Sequence, residues 1–140
     1  MPDSIKKFKR SIGELKNIFE FIDRFANKYA LQAKLVHDVT LAVEEIFTNM
    51  VKYNPTGPNE IELHLLFAHN VLKIKLIDRE SEPFDITKAQ VYDLNQRVEQ
   101  RPVGKLGIHF VKKIMDHLEY QHKNKRTVIT MIKNLGETNV

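Results

Sequence analysis

The sequence contains no cysteine. Disulfides and thiolate metal sites are therefore excluded, and the chain suits a reducing compartment, so a cytoplasmic location is expected. No apolar run approaches the roughly 18 residues that a membrane-spanning helix needs, so no membrane contact is expected. The N-terminal stretch MPDSIKKFKR is basic but has no apolar signal core behind it, which argues against export. Repeats and low-complexity tracts are also missing. Charge of one sign is in short supply: 22 Lys and Arg face 18 Asp and Glu, a net of +4. The basic residues are scattered, which argues against direct nucleic-acid binding. The densest cluster, His122-Lys123-Asn124-Lys125-Arg126, falls between two strand-like segments and reads as a solvated turn.

What is present suits one compact domain over residues 1–140. Hydrophobic residues make up 42% of the chain and charged residues 29%, enough for a core and a wet surface. Residues 4–10 read as a short strand. Ser11 and Glu14 have capping-box spacing, and Leu15, Ile18, Phe19, Ile22 and Phe25 follow at helical intervals, predicting a helix over 12–29. A second helix is predicted over 32–53, where Leu35, Val39, Ala42, Ile46 and Met50 form one stripe. It stops at Asn54-Pro55-Thr56-Gly57-Pro58.

Ile61, Leu63, Leu65 and Phe67 then alternate as in a strand with one buried face. Ala68-His69-Asn70 reads as a hairpin turn, and Leu72, Ile74 and Leu76 resume the alternation. Asp78 continues that parity, so its carboxylate is expected on the buried side, which is costly unless it is paired. Residues 79–103 are polar and irregular, with weak helical character at 86–98. A helix is predicted over 104–117 and strands over 118–122 and 126–133. The order predicts an α+β fold: a two-layer sandwich with helices on one face of a mixed, mostly antiparallel sheet.

Three groups of residues have chemistry to offer. On the second helix, Glu45, Asn49, Lys52 and Tyr53 share one face. A glutamate can act as a base, an asparagine carbonyl can ligate magnesium, a lysine can neutralise phosphate, and a tyrosine ring can lie against a base. By spacing alone this face reads as a polar flank of an amphipathic helix. Asp78, at a strand end, can accept a hydrogen bond from an exocyclic amine or serve as a turn aspartate. Gly104-Lys105-Leu106-Gly107 opens a helix, where free amides and the helix dipole favour an anion. Many ordinary helices also begin after a glycine.

Taken together and in this order, these segments resemble the GHKL, or Bergerat-fold, ATP-binding family. Glu45-Ile46-Phe47-Thr48-Asn49-Met50-Val51-Lys52-Tyr53 resembles its N box. Asp78 with Pro83-Phe84-Asp85 resembles the first glycine box, although Glu80 stands where the family carries glycine. Gly104 through Asp116 resembles the second, and with Leu118-Glu119-Tyr120 it is similar to the branch of anti-sigma serine/threonine kinases. The resemblance covers residues 10–134.

The resemblance implies ATP and Mg²⁺ as cofactors. It implies Glu45 as the base for a serine or threonine hydroxyl and Asn49 as the Mg²⁺ ligand. Lys52 is implied at phosphate, Tyr53 near the base, and Asp78 at adenine, with Phe84 in the same box. Gly104, Lys105, Leu106 and Gly107 would cradle phosphate, and residues 86–103 would form a lid carrying Arg101. Thr127 or Thr130 would assist at the adenine. The implied partners are a sigma factor and a phosphorylatable antagonist protein, with a homodimer as the assembly. The alternative reading is a catalytically weak or inactive binding module that keeps the fold, and Glu80 is the residue that favours it.

Overall fold

The computed structural model describes residues 4–53, 60–79 and 105–135, with the side chains of Tyr53, Lys105 and Leu106 outside that description. Its elements are β1 (Ser4–Phe8), α1 (Leu15–Lys28), α2 (Ala33–Tyr53), β2 (Ile61–Ala68), β3 (Val71–Arg79), α3 (Lys105–Ile114), β4 (His117–Lys123) and β5 (Arg126–Asn134). The strands form one sheet in the order β1-β2-β3-β5-β4. Every pairing in it is antiparallel. The two-layer α/β sandwich is as expected, and among the described residues the expected mostly antiparallel sheet has antiparallel pairings throughout. The weak helix expected at 86–98 lies outside the described residues.

Local chemistry explains the boundaries. The strand expected over 4–10 ends at Phe8. There the Lys9 amide donates to the Glu14 carboxylate at 2.8 Å, so the chain turns into a helical start. Ser11 caps that start through its hydroxyl, which accepts from the Gly13 amide at 3.2 Å. Glu14 thus reaches back beyond the residue that a capping box would satisfy. α1 closes at Lys28, and Ala30 follows in the left-handed region at φ 52°. That conformation costs a non-glycine residue roughly 1–2 kcal/mol. It is held by the Leu31 amide, which bonds the Ala26 carbonyl at 3.0 Å.

Both hairpins turn on two residues with positive φ: His69 and Asn70 between β2 and β3, and Asn124 and Lys125 between β4 and β5. This is the twist-compatible geometry for two-residue loops. It also disposes of the basic cluster as an exposed turn, since Lys123, Asn124, Lys125 and Arg126 are all exposed. The third helix, expected to reach residue 117, ends at Ile114. Lys133 Nζ donates to the Ile114 carbonyl at 2.7 Å, and the Asp116 amide already bonds the Ile132 carbonyl at 2.9 Å.

One core joins the layers. Leu63, Leu65, Leu72, Ile74, Leu76, Ile129 and Met131 come from the sheet. Ile18, Ile22 and Phe25 meet them from α1, Val39, Ala42, Val43, Ile46, Phe47 and Met50 from α2, and Ile108, Val111 and Met115 from α3 and its end. Val43 and Phe47 widen the stripe predicted for α2. Each fully buried large side chain contributes about 1.5–3 kcal/mol through water removal. α2 is the central helix: it packs against α1, α3 and β3.

Candidate active site

The last turns of α2 carry the acid and amide. Asn49 is 3% exposed. Its Nδ2 donates to the Glu45 backbone carbonyl at 2.6 Å and to the Glu45 carboxylate at 2.5 Å. An ionised carboxylate only accepts, so the amide nitrogen must face it and Oδ1 is turned the other way. Burial raises the Glu45 pKa above its ordinary value. The Asn49 bond pulls it down, neighbouring Glu44 pushes it up, Lys52 lowers it, and burial wins. A carboxylate shifted this way holds protons more tightly and is a better base at neutral pH than a free one. Lys52 is exposed on the same helix.

Asp78 lies on the helix-facing side of β3, as its parity predicts, and is 2% exposed. The compensating group is Arg10, which sequence reasoning did not single out. Arg10 grips the carboxylate with two prongs: Nη1 donates to Oδ2 at 3.0 Å, and Nη2 donates to Oδ1. The Arg10 side chain is 4% exposed. Its Nε is buried without a hydrogen-bond partner among the described residues. The register explains the reach. Phe8 pairs with Ile61, and Ile61 pairs with Asp78. Two residues past Phe8, Arg10 crosses over β2 to the third strand. The only available signal was Asp78 itself, an inward carboxylate that required a cation.

The two threonines separate in the structure. Thr127 is opposite Asp78 in the β3–β5 register and is 5% exposed, whereas Thr130 is opposite Lys75, on the other face. Thr127 is thus the one beside the aspartate.

The acid-amide pair and Asp78 occupy the same end of the two layers. A small apolar cavity fixes the orientation: Val36 and Val39 line it together with Leu65 and Leu72. The N-terminal half of α2 therefore lies over the start of β3. Asn49 is ten residues beyond Val39, about 15 Å along the helix. Asp78 is six residues beyond Leu72, about 20 Å along the strand. α3 begins at Lys105 and packs against α2. Lys105, Leu106 and Gly107 form its first turn, whose amides have no acceptor within the helix. Phe84, Arg101, Gly104 and the lid expected over 86–103 lie outside the described residues.

A family model described as a histidine kinase-like ATPase domain matches residues 8–133. The chain belongs to this family. Among ATPase-domain relatives, the serine-protein kinase RsbW of Listeria monocytogenes is 26% identical over 136 residues, spanning 93% of this chain and 82% of that protein. The serine-protein kinase RsbW of Bacillus cereus is 28% identical over 108 residues, spanning 74% of this chain and 68% of the relative. A crystal structure of the RsbU and RsbW domains of Rv1364c from Mycobacterium tuberculosis has the same fold, with a TM-score of 0.69 at 12% identity. That match covers 96% of this chain, which spans about a third (32%) of the solved one. Among the described residues the structure brings Asn49 to Glu45 and Arg10 to Asp78.

Proposed function

We propose that this ATPase domain is an anti-sigma-type serine/threonine protein kinase. It binds ATP, phosphorylates a small antagonist protein, and sequesters an alternative sigma factor in its other state. The observation that carries the reading is the Glu45–Asn49 pair at the same end of the layers as Asp78. Family membership and the RsbW relatives support it.

The donor set suits a hard cation. Asn49 Nδ2 is committed to Glu45, leaving Oδ1 as a hard oxygen ligand. Among the described residues no group of three or more His, Asp or Glu could enclose a metal. Mg²⁺ commonly takes one or two protein ligands and fills its shell with phosphate oxygens and water. Asn49 would hold Mg²⁺, which neutralises phosphate charge when bound. Glu45 would accept the proton of the attacking serine or threonine hydroxyl, with its pKa raised for that task. Lys52 would lie toward phosphate and Tyr53 toward the base, and the first-turn amides of α3 would hold phosphate oxygens. Phe84, Arg101 and Gly104 would complete the base box, lid and cradle. Asp78 would read the adenine amine, with Thr127 beside it. Phosphoryl transfer of this kind needs mainly positioning and charge neutralisation.

The same reading takes residues 1–140 as one domain with a lid over 86–103. It places the protein in the cytoplasm as a homodimer, and gives it no direct nucleic-acid or membrane partner. No described helix is long and apolar enough to cross a membrane. The second reading, a binding module without transfer, is favoured by one observation: both Asp78 oxygens are engaged by Arg10. Titrating the protein with ATP, with and without Mg²⁺, and following label into a small antagonist protein separates the two. Mg²⁺-dependent binding with labelling, lost in Asn49→Ala, supports the kinase. Absence of binding at millimolar ATP supports the module.

A further inference from the structure

We propose that Arg10 is a built-in competitor for the nucleobase, and that its release from Asp78 sets the affinity for adenine nucleotides. The inference rests on the ATP-binding reading above and deepens it. A guanidinium presents two parallel N–H donors in one plane. Toward Asp78, that fork occupies the acceptor oxygen that adenine needs for its amine N–H, because the adenine edge offers one donor beside an acceptor nitrogen. In the structure that occupation takes in the whole carboxylate: one prong of Arg10 serves each oxygen of Asp78. Asp78 is 2% exposed, so a base reaches it only when the groups that cover it, the guanidinium among them, move aside.

Two features make the contact breakable. Arg10 Nε is buried without an acceptor among the described residues. A donor stranded in this way loses its water and gains nothing in return, which tilts the closed state toward opening. Arg10 also lies in the link between β1 and the Ser11 cap, outside any strand or α-helix. Its side chain can swing away without breaking a ladder or a helical turn. The link itself stays anchored by the Lys9 amide bond to Glu14. A purely structural ion pair, by contrast, is most stable with all of its donors matched.

The test is calorimetric titration of the wild-type protein, Arg10→Met and Arg10→Lys with Mg²⁺-ATP and, separately, with inorganic tripolyphosphate. Arg10→Met is expected to bind ATP at least about tenfold more tightly than wild type. Arg10→Lys keeps the charge but loses the fork, so its gain should be smaller. Tripolyphosphate, which has no base, should bind all three proteins alike. A gain shared equally by tripolyphosphate would show a general charge effect and overturn the proposal. So would ATP affinity in Arg10→Met that is equal to or weaker than wild type, and in that case the ATP-binding reading survives. If neither wild type nor variant binds millimolar ATP, that reading falls and the competitor falls with it. Should Arg10→Met fail to fold, nitrogen-15 spectra of the wild-type Arg10 guanidinium decide the matter. Saturating ATP is expected to shift its Nε resonance, and an unmoved resonance rejects displacement.

Discussion

Glu45 and Asp78 are two acids at one end of the same pair of layers, and they are satisfied in opposite ways. Glu45 meets Asn49 one helical turn away, within a single element. Asp78 meets Arg10 across a sequence separation of 68. The first pair leaves its acid partly open, with a raised pKa. The second encloses its acid almost completely, with side chains 4% and 3% exposed. A local pair can be altered for chemistry with little consequence for the fold. A pair that ties a linker to the third strand of a sheet belongs to the fold as much as to the site.

Mutation should separate the two roles, and the largest effect should fall on chemistry. Glu45→Ala is expected to lower phosphoryl transfer by about 10²–10⁴-fold, the usual worth of a positioned base, while nucleotide affinity stays near wild type. Transfer at the wild-type rate in that variant would remove Glu45 from its role. Asp78→Ala should act on stability, and in the proposed site on nucleotide affinity, rather than on the transfer step. It leaves the Arg10 charge buried without its partner, at a cost of about 3–5 kcal/mol, read from the urea midpoint. A loss below about 1 kcal/mol would mean that the pair is not structural, and the contrast with Glu45 would disappear.

A smaller effect comes from Glu62 at the far side of β2. Its side chain is 9% exposed, and it accepts from Arg79 Nε at 2.7 Å, with His64 Nε2 at 3.2 Å. Burial pushes its pKa up, but the bonds to Arg79 and His64 together outweigh burial and leave it lowered. A lowered folded pKa adds stability above the unfolded carboxylate pKa, and that stability is lost as pH falls through the folded value. Glu62→Gln should therefore destabilise at neutral pH by about 1 kcal/mol or less, given the exposed Arg79 partner, and the difference should close in acid. Glu45 has the reverse sign. Its folded pKa is raised, so its contribution falls as pH rises from the unfolded pKa through the folded one. Glu45→Gln should melt slightly higher than wild type at neutral pH, by no more than about 1 kcal/mol of stability. A lower melting point there would contradict the assigned burial effect.

The same contrast explains what could be read from the chain alone. Asn49 beside Glu45 follows from helical periodicity, because four residues is one turn. The inward direction of Asp78 follows from strand alternation. Arg10 follows from neither, since its position depends on the register of β1 on β2 and of β2 on β3, and pairing register is a property of the assembled sheet. Thr127 and Thr130 have the same limitation: three residues apart on one strand, they take opposite faces, and only the pairing shows which one adjoins Asp78. Helix ends were legible to within a few residues. The misplaced end of α3 traces to Lys133, a lysine from another element bonded to its last carbonyl.

The sheet order has one more consequence. β3 and β5 are neighbours, yet residues 80–125 separate them in sequence. That stretch closes a loop whose two ends are already riveted by nine facing residue pairs, Val71 with Asn134 through Arg79 with Arg126. Doubling the length of such a loop adds only about 0.6 kcal/mol of closure entropy. Insertions between Arg79 and Lys105 can therefore accumulate while the scaffold holds its shape, which makes this the stretch where new specificity is cheapest to evolve.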